Sequence, residues 1–150
     1  MTGEEIVARA RALIGVRFRP QGRSAETGLD CIGVAAMACG MNGNRVPRHY
    51  NLTESDPDAA NSRFAECGFI RIVPQRARIG DVLLTRAGPT QLHVVILTPD
   101  GYLHADARLR RVAEVPGPVP FPVLSAWRHP EAGVEEPVPE GWLEIAPEED

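Results

Sequence analysis

The pattern of apolar and polar residues along the chain predicts helices near residues 3–14, 30–40 and 57–67, and in the first of these stretches apolar residues recur at helical spacing. The first begins with Thr2 and Glu5, whose spacing is that of a capping box. The second is apolar nearly all round, which indicates a buried helix. The third begins with Asp56-Pro57, an N-cap followed by proline at the first helical position.

The second half of the chain has the pattern of strands. Predicted strands are 69–73, 81–84, 92–98, 101–107, 109–115 and 123–128, separated by turns rich in Gly and Pro. The strands between residues 81 and 115 predict an antiparallel meander. Residues 92–97 are apolar on both faces apart from His93, which predicts a central strand. The pattern is typical of an α+β domain with N-terminal helices packed on an antiparallel sheet.

Two segments between these elements are predicted to be irregular. Residues 15–30 contain three glycines and several arginines and are expected to form a loop that leads to Cys31 and lines one wall of a cleft. Residues 41–55 are also expected to be irregular, and His49 there and His129 are predicted surface residues.

The chain has 150 residues, of which 43% are hydrophobic, so one domain with a proper core is expected, at 1–130. Residues 131–150 contain eight acidic residues and no arginine and are expected to form an acidic, proline-containing tail. Its apolar cluster at residues 141–145 either folds back on the domain or docks a partner.

Charge and composition exclude several classes of protein. All 16 basic residues are arginines and the net charge is −4, so the chain lacks the dense basic stripe of a nucleic-acid-binding protein. It contains no apolar run of about 18 residues, so no membrane span is expected. The acidic start at Glu4 and Glu5 predicts synthesis in the cytoplasm without a signal peptide. The three cysteines show no C-x-x-C spacing, which indicates neither a disulfide framework nor a zinc knuckle.

Cys31 is the candidate nucleophile. It lies between a glycine-containing loop and the start of the second predicted helix. The unsatisfied N–H groups and the positive end of a helix favour a thiolate and can lower a cysteine pKa to roughly 3.5–7.5. The same N–H groups can bind an oxyanion. Cys39 and Cys67 are interpreted as ordinary core residues, which is the common role of a cysteine in an apolar segment.

Two histidines on adjacent predicted strands are candidates for the base. His93 would keep Cys31 as thiolate and then protonate the leaving amine. Its other ring nitrogen needs a partner that fixes the tautomer, and His104 is favoured over Asp106, which shares its face of the strand. A metal site of Cys31, His93 and His104 is the weaker alternative, since it lacks a closely spaced ligand pair. No cofactor is expected.

Four features of the chain form a set with a characteristic order and spacing: Asp30-Cys31-x-Gly33, Gly80-Asp81-Val82-Leu83, His93 on a strand, and His104-Ala105 on the next strand. This set resembles the NlpC-type family of papain-like cell-wall cysteine peptidases over roughly residues 4–128. The resemblance implies a papain-like α+β fold and cleavage of amide bonds in peptidoglycan stem peptides, typically between γ-D-glutamyl and a diamino acid. It implies Cys31 as nucleophile, His93 as base and His104 as third residue. Asp30 matches a position that can bind the free amine of the peptide.

The sequence departs from the family at two positions. Ile32 stands where the family usually has Ser, and Phe18 matches the loop position of a substrate-contacting Tyr, whose hydroxyl it lacks. The Asp-Cys-Ile-Gly variant resembles the branch found in phage and gene-transfer-agent tails, which implies a tail-associated cell-wall lysin that acts in the periplasm. The alternatives are an amidase on another small amide and a catalytically silent structural tail component.

Overall fold

The computed structural model describes residues 1–41, 56–132 and 137–147. It contains three α-helices, α1 (Gly3–Arg11), α2 (Cys31–Ala38) and α3 (Pro57–Glu66). Two short strands precede α2, β1 (Arg23–Ser24) and β2 (Gly28–Leu29). Six further strands follow α3: β3 (Ile70–Ile72), β4 (Val82–Gly88), β5 (Gln91–Leu97), β6 (Gly101–Asp106), β7 (Arg111–Pro116) and β8 (Val123–Arg128). The predicted irregular segment 41–55, with His49, lies outside the described residues except for Met41.

The main sheet has six strands in the order β3-β8-β4-β5-β6-β7, and all neighbours are antiparallel. The predicted meander is therefore confirmed for β4 to β7, with β5 inside the sheet. The last strand, β8, returns to pair with both β4 and β3. The expected α+β class, with helices on an antiparallel sheet, is confirmed.

The helices begin where the sequence places them and end earlier than expected. The Oγ1 of Thr2 accepts a hydrogen bond from the N–H of Glu5 at 3.1 Å, which caps α1. This helix ends at Arg11, and a turn completes residues 12–15. The predicted loop 15–30 contains the β1–β2 hairpin. Its strands have two residues each, which is too short for an alternating pattern of apolar and polar residues to be recognised in the sequence.

The sheet separates two apolar clusters. The first lies between the sheet and the helices and joins Ile6 of α1 and Val34 of α2 to one face of the central strands. The second lies on the opposite face and includes Leu83, Val95 and Tyr102. Because side chains alternate along a strand, β5 contributes to both clusters, as its apolar pattern predicts.

The second face of the sheet is covered by the connector 117–122 and by residues 137–147. The N–H of Val119 donates to the carbonyl of Trp142 at 2.9 Å, and the N–H of Val123 donates to that of Glu144 at 2.7 Å. Leu143 packs against the second apolar cluster, and the indole of Trp142 lies directly over Gly117. The apolar cluster 141–145 thus folds back on the domain, while a domain boundary after residue 130 stays a prediction.

Two remaining predictions concern the exposure of His129 and the absence of a membrane span. His129 is half-buried, and its Nδ1 accepts a hydrogen bond from the N–H of Glu131 at 3.1 Å, a local contact at the end of β8. Within the ranges that the structure describes, no helix is both long enough and apolar enough to cross a bilayer.

Candidate active site

Cys31 is the first residue of α2, and the carboxylate of Asp30 caps this helix. The Oδ1 of Asp30 accepts a hydrogen bond from the N–H of Gly33 at 2.8 Å. Gly33 has no room for a side chain, because a Cβ there would overlap the carbonyl oxygen of Gly22. The Asp-Cys-x-Gly motif therefore fastens the preceding loop against the helix N-terminus and fixes the position of Cys31, which is 8% exposed.

Asp30 also forms an ion pair that the sequence analysis missed. Its Oδ1 lies 2.7 Å from Nη1 of Arg23, whose side chain is 2% exposed, and its Oδ2 accepts a hydrogen bond from the N–H of Gln21 at 3.1 Å. Both carboxylate oxygens thus hold the loop to α2. The Asn/Asp preference for N-caps could have found the capping role, but nothing periodic links Asp30 to Arg23. The predicted binding of a peptide amine by Asp30 stays a prediction.

Phe18 lies in the same loop and is half-buried. Its side chain packs against the apolar cluster that contains Cys31, and its N–H donates to the carbonyl of Arg110 at 2.9 Å. A backbone bridge pairs Phe18 with Leu29, two residues before Cys31. Phe18 therefore forms part of the wall next to α2, and its predicted contact with substrate is not tested by this geometry.

His93 and His104 are brought into direct contact. The Nε2 of His93 lies 2.7 Å from Nδ1 of His104, with ring centroids 5.0 Å apart and planes at 79°. Strands β5 and β6 are paired only at Ile96–Leu103 and Leu97–Tyr102, so they separate towards the two histidines. The backbone at His93 is held by the buried Thr85, whose hydroxyl donates to the His93 carbonyl at 2.9 Å.

The histidine pair is enclosed by rings and one carboxylate. Phe121, in the proline-rich connector, packs edge-on against His93 with centroids 5.5 Å apart, and Tyr102 lies 5.1 Å from His104. On its far side, Nε2 of His104 faces Oδ2 of Asp106 at 3.7 Å. Asp106 thus contacts His104 and, within the described part of the chain, makes no hydrogen bond to His93. The two candidates for the third residue therefore lie one behind the other, with His104 between His93 and Asp106. Phe121 could not be identified from the sequence, because its segment shows neither the periodicity of a helix nor that of a strand.

Cys31 meets β5 at the backbone beside His93. The thiol lies against the N–H of Val94, and Val94 belongs to the apolar cluster around Cys31. The His93 ring instead contacts His104 and Phe121. Among the described residues no hydrogen bond joins Sγ of Cys31 to the ring of His93. The structure therefore brings the two histidines together and places the thiol against the backbone of Val94, the residue after His93, without a Cys-His contact.

Solved structures with a similar fold include those from two peptidoglycan hydrolases and from one antigen. The NlpC/p60 domain of the peptidoglycan hydrolase SagA is 24% identical, with a TM-score of 0.54, over 77% of this chain and 90% of that one. The P60 domain of the M. avium subspecies paratuberculosis antigen MAP1204 is 21% identical, with a TM-score of 0.56, over 85% and 93%. The peptidoglycan hydrolase RipB of Mycobacterium tuberculosis is 21% identical, with a TM-score of 0.55, over 84% and 63%.

The chain has the NlpC/p60 fold. This confirms the fold that the sequence resemblance implies, and identities of this size carry the fold alone. No protein-family model and no curated protein sequence matches the chain.

Within this NlpC/p60 fold, burial dominates the electrostatics of the thiol. Burial raises the pKa of Cys31 to about 12, and the charge of Asp30 acts in the same direction. The N–H groups of Val94 and Ile32 and the Arg23 guanidinium lower it only in part. The expected lowering of the Cys31 pKa by the helix N-terminus is therefore wrong for the resting site, because desolvation of the thiolate outweighs the helix dipole.

The pKa values of both histidines are lowered, which is the opposite direction from that of Cys31. Burial, together with the nearby His104, lowers the pKa of His93 to about 4, against a smaller opposing effect of Asp106. Burial also lowers the pKa of His104, against the opposing effect of Asp106. At neutral pH the site consequently holds a neutral thiol and two neutral imidazoles.

The same residues do not form a metal centre. Among the residues that the structure describes, no three His, Cys, Asp or Glu side chains are grouped so that they could hold a metal ion.

Proposed function

We propose that this chain is a cysteine peptidase that hydrolyses amide bonds in peptidoglycan stem peptides, at the bond between γ-D-glutamyl and a diamino acid. The observation that carries the proposal is the 2.7 Å contact between His104 and His93, which lies on β5, the strand whose Val94 N–H contacts the thiol of Cys31. It occurs in the fold of peptidoglycan hydrolase domains. A neutral imidazole fixed by a second ring is the arrangement that a base for a thiol nucleophile requires.

The reaction has two stages. The Sγ proton of Cys31 passes to His93 as sulfur attacks the amide carbon, and the N–H groups at the start of α2 stabilise the oxyanion. His93 then gives that proton to the leaving amine, the C–N bond breaks, and a thioester on Cys31 remains. In the second stage His93 takes a proton from water, the hydroxyl adds to the thioester, and the carboxyl product leaves as the proton returns to Cys31.

The roles of the loop residues follow from this scheme. Asp30, at the start of α2, is proposed to bind the free amine of the peptide with the part of its carboxylate that is exposed, and Phe18 is proposed to contact the peptide at the adjacent wall. Because Phe18 has no hydroxyl, that contact is apolar. The side chain of Asp30 is 14% exposed, so a bound amine would share a carboxylate that already serves Arg23.

We also propose that the protein is delivered by a phage-like tail and acts in the periplasm, which the Asp-Cys-Ile-Gly variant supports by its resemblance to tail-associated members of the family. Antibody labelling of purified particles would detect this chain on a tail if the proposal holds. Labelling confined to the host cytoplasm would contradict it.

Digestion of purified muropeptides tests the substrate and the bond. The full chain is incubated with soluble muropeptides, and the products are read by mass spectrometry. The proposal predicts a fragment ending in γ-D-glutamate and a fragment with the free amine of the diamino acid. Cleavage at a different amide would move the activity to another substrate, and intact muropeptides would remove the proposed function.

A further inference from the structure

We propose that Asp106 is a positioning residue that selects the tautomer of His104 and, through it, the tautomer of His93. The inference rests on the proposed function, since it assigns Asp106 a task in the same reaction. It starts from the contact between the two imidazoles. A 2.7 Å separation between two ring nitrogens requires one proton between them, so one ring donates and the other accepts.

Only two neutral arrangements satisfy this contact. In the first, Nε2–H of His93 donates to Nδ1 of His104, which leaves Nδ1 of His93 free to accept the thiol proton and places the His104 proton on Nε2. In the second, Nδ1–H of His104 donates to Nε2 of His93. His93 then carries its proton on Nδ1 and cannot act as a base there, while Nε2 of His104 is a bare acceptor.

The surroundings of Nε2 of His104 decide between the two. This atom is buried and has no hydrogen-bond partner within the described residues. The charged group that faces it is the Asp106 carboxylate, with Oδ2 at 3.7 Å. The first arrangement directs an N–H at this carboxylate, whereas the second sets a lone pair against it. Asp106 therefore favours the arrangement that leaves His93 competent as a base.

The carboxylate is itself fixed by the backbone. The Oδ1 of Asp106 accepts hydrogen bonds from the N–H of Arg108 at 2.8 Å and of Leu109 at 3.2 Å, in the turn between β6 and β7. These bonds direct Oδ2 towards His104. Tyr102 also lies against His104, but its ring contributes no charge at neutral pH.

Replacement by asparagine separates this role from a structural one. In Asp106→Asn the amide oxygen retains the two turn hydrogen bonds, and the NH₂ group then points at Nε2 of His104. A donor at that point stabilises the second arrangement, the wrong one for catalysis. In Asp106→Ala both arrangements become accessible. The tautomer role thus predicts that asparagine is worse than alanine, whereas a structural role predicts that asparagine is milder.

The test combines kinetics with a spectroscopic readout. On the muropeptide that the wild type cleaves, we expect kcat of Asp106→Asn to fall by about 10²- to 10⁴-fold with a smaller change in KM, since the analogous change in serine proteases costs about 10⁴ through the wrong tautomer. We expect a loss of about tenfold or less for Asp106→Ala. Thermal melting of both variants checks that they fold.

The ¹⁵N chemical shifts of the imidazole nitrogens report the tautomer without any substrate. We expect His93 to be protonated at Nε2 in the wild type and at Nδ1 in Asp106→Asn. A wild-type His93 protonated at Nδ1 would overturn the inference without any variant, as would an asparagine variant at least as active as the alanine variant. If the wild type cleaves no muropeptide, the proposed function fails while the ¹⁵N shifts still decide the role of Asp106.

Discussion

The ion pair between Asp30 and Arg23 should contribute more to stability than any exposed helix cap of this protein. We consider Asp30→Ala, which removes the cap of α2 and the carboxylate that lies 2.7 Å from the guanidinium of Arg23. The Arg23 side chain is 2% exposed, so its charge cannot recover water when the carboxylate is lost. Nη1 of Arg23 keeps its hydrogen bond to the Gly22 carbonyl at 2.9 Å.

The magnitude follows from these contacts. Loss of an N-cap costs about 1 kcal/mol, and removal of one partner of a buried ion pair costs about 3–5 kcal/mol because the other charge stays buried. Since the same carboxylate serves both contacts, we expect about 3–5 kcal/mol in total for Asp30→Ala. Asp30→Asn can retain the cap and should lose about 1 kcal/mol less. The double variant with Arg23→Met should cost less than the sum of its single changes, because the two sites are coupled.

Asp56→Ala is the matched control. Asp56 caps α3 through hydrogen bonds from the N–H groups of Asp58 and Ala59, at 3.1 and 3.4 Å, and it is exposed. Its loss should cost about 1 kcal/mol or less. Urea unfolding at pH 7, followed by circular dichroism, gives the free energy of unfolding of each variant. An Asp30→Ala change no more costly than Asp56→Ala would refute the argument from the buried charge.

Three further predictions concern other parts of the structure. Because His93 takes up its proton near pH 4 when folded and near pH 6.5 when unfolded, the free energy of unfolding should fall by up to about 3 kcal/mol as the pH drops from 6.5 to 4; urea titrations that show no such fall beyond that of His93→Gln would contradict it. A chain ending at Pro130 loses the contacts of Trp142 and should melt about 5–10 °C lower; an unchanged melting temperature would show that the tail is dispensable. Gly33→Ala should cost about 1–3 kcal/mol in urea unfolding, because its Cβ meets Gly22; a neutral effect would show that the loop yields.

The sequence predicted the α+β class and the neighbouring strands of the two histidines, because both depend on the pattern of apolar and turn residues along the chain. The nearly continuous apolar run at residues 92–97 predicted a strand covered on both faces, and the turn residues between the strands predicted the meander. His93 and His104 could be placed on neighbouring strands for the same reason. The structure adds their 2.7 Å contact and the position of Asp106 behind His104.

The remaining contacts of the site are made by segments that have no periodic pattern of apolar residues, so the sequence did not predict them. Arg23 reaches Asp30 across a hairpin of two-residue strands, and Phe121 reaches His93 from a connector without regular structure. Residues 137–147 carry acidic and proline residues typical of a tail, yet they pair with the connector through backbone groups, which sequence composition does not encode. The Cys31 pKa depends on burial, which only the folded chain determines.

The most direct test of the central claim compares Cys31→Ala with Cys39→Ala on purified muropeptides. Both cysteines are buried in the same apolar cluster, at 8% and 2% exposure, so the two changes remove similar packing. Mass spectrometry of the products should show cleavage by the wild type and by Cys39→Ala, and a loss of at least about 10³-fold in rate for Cys31→Ala. Equal turnover by the folded Cys31→Ala variant would contradict a thiol nucleophile at this position.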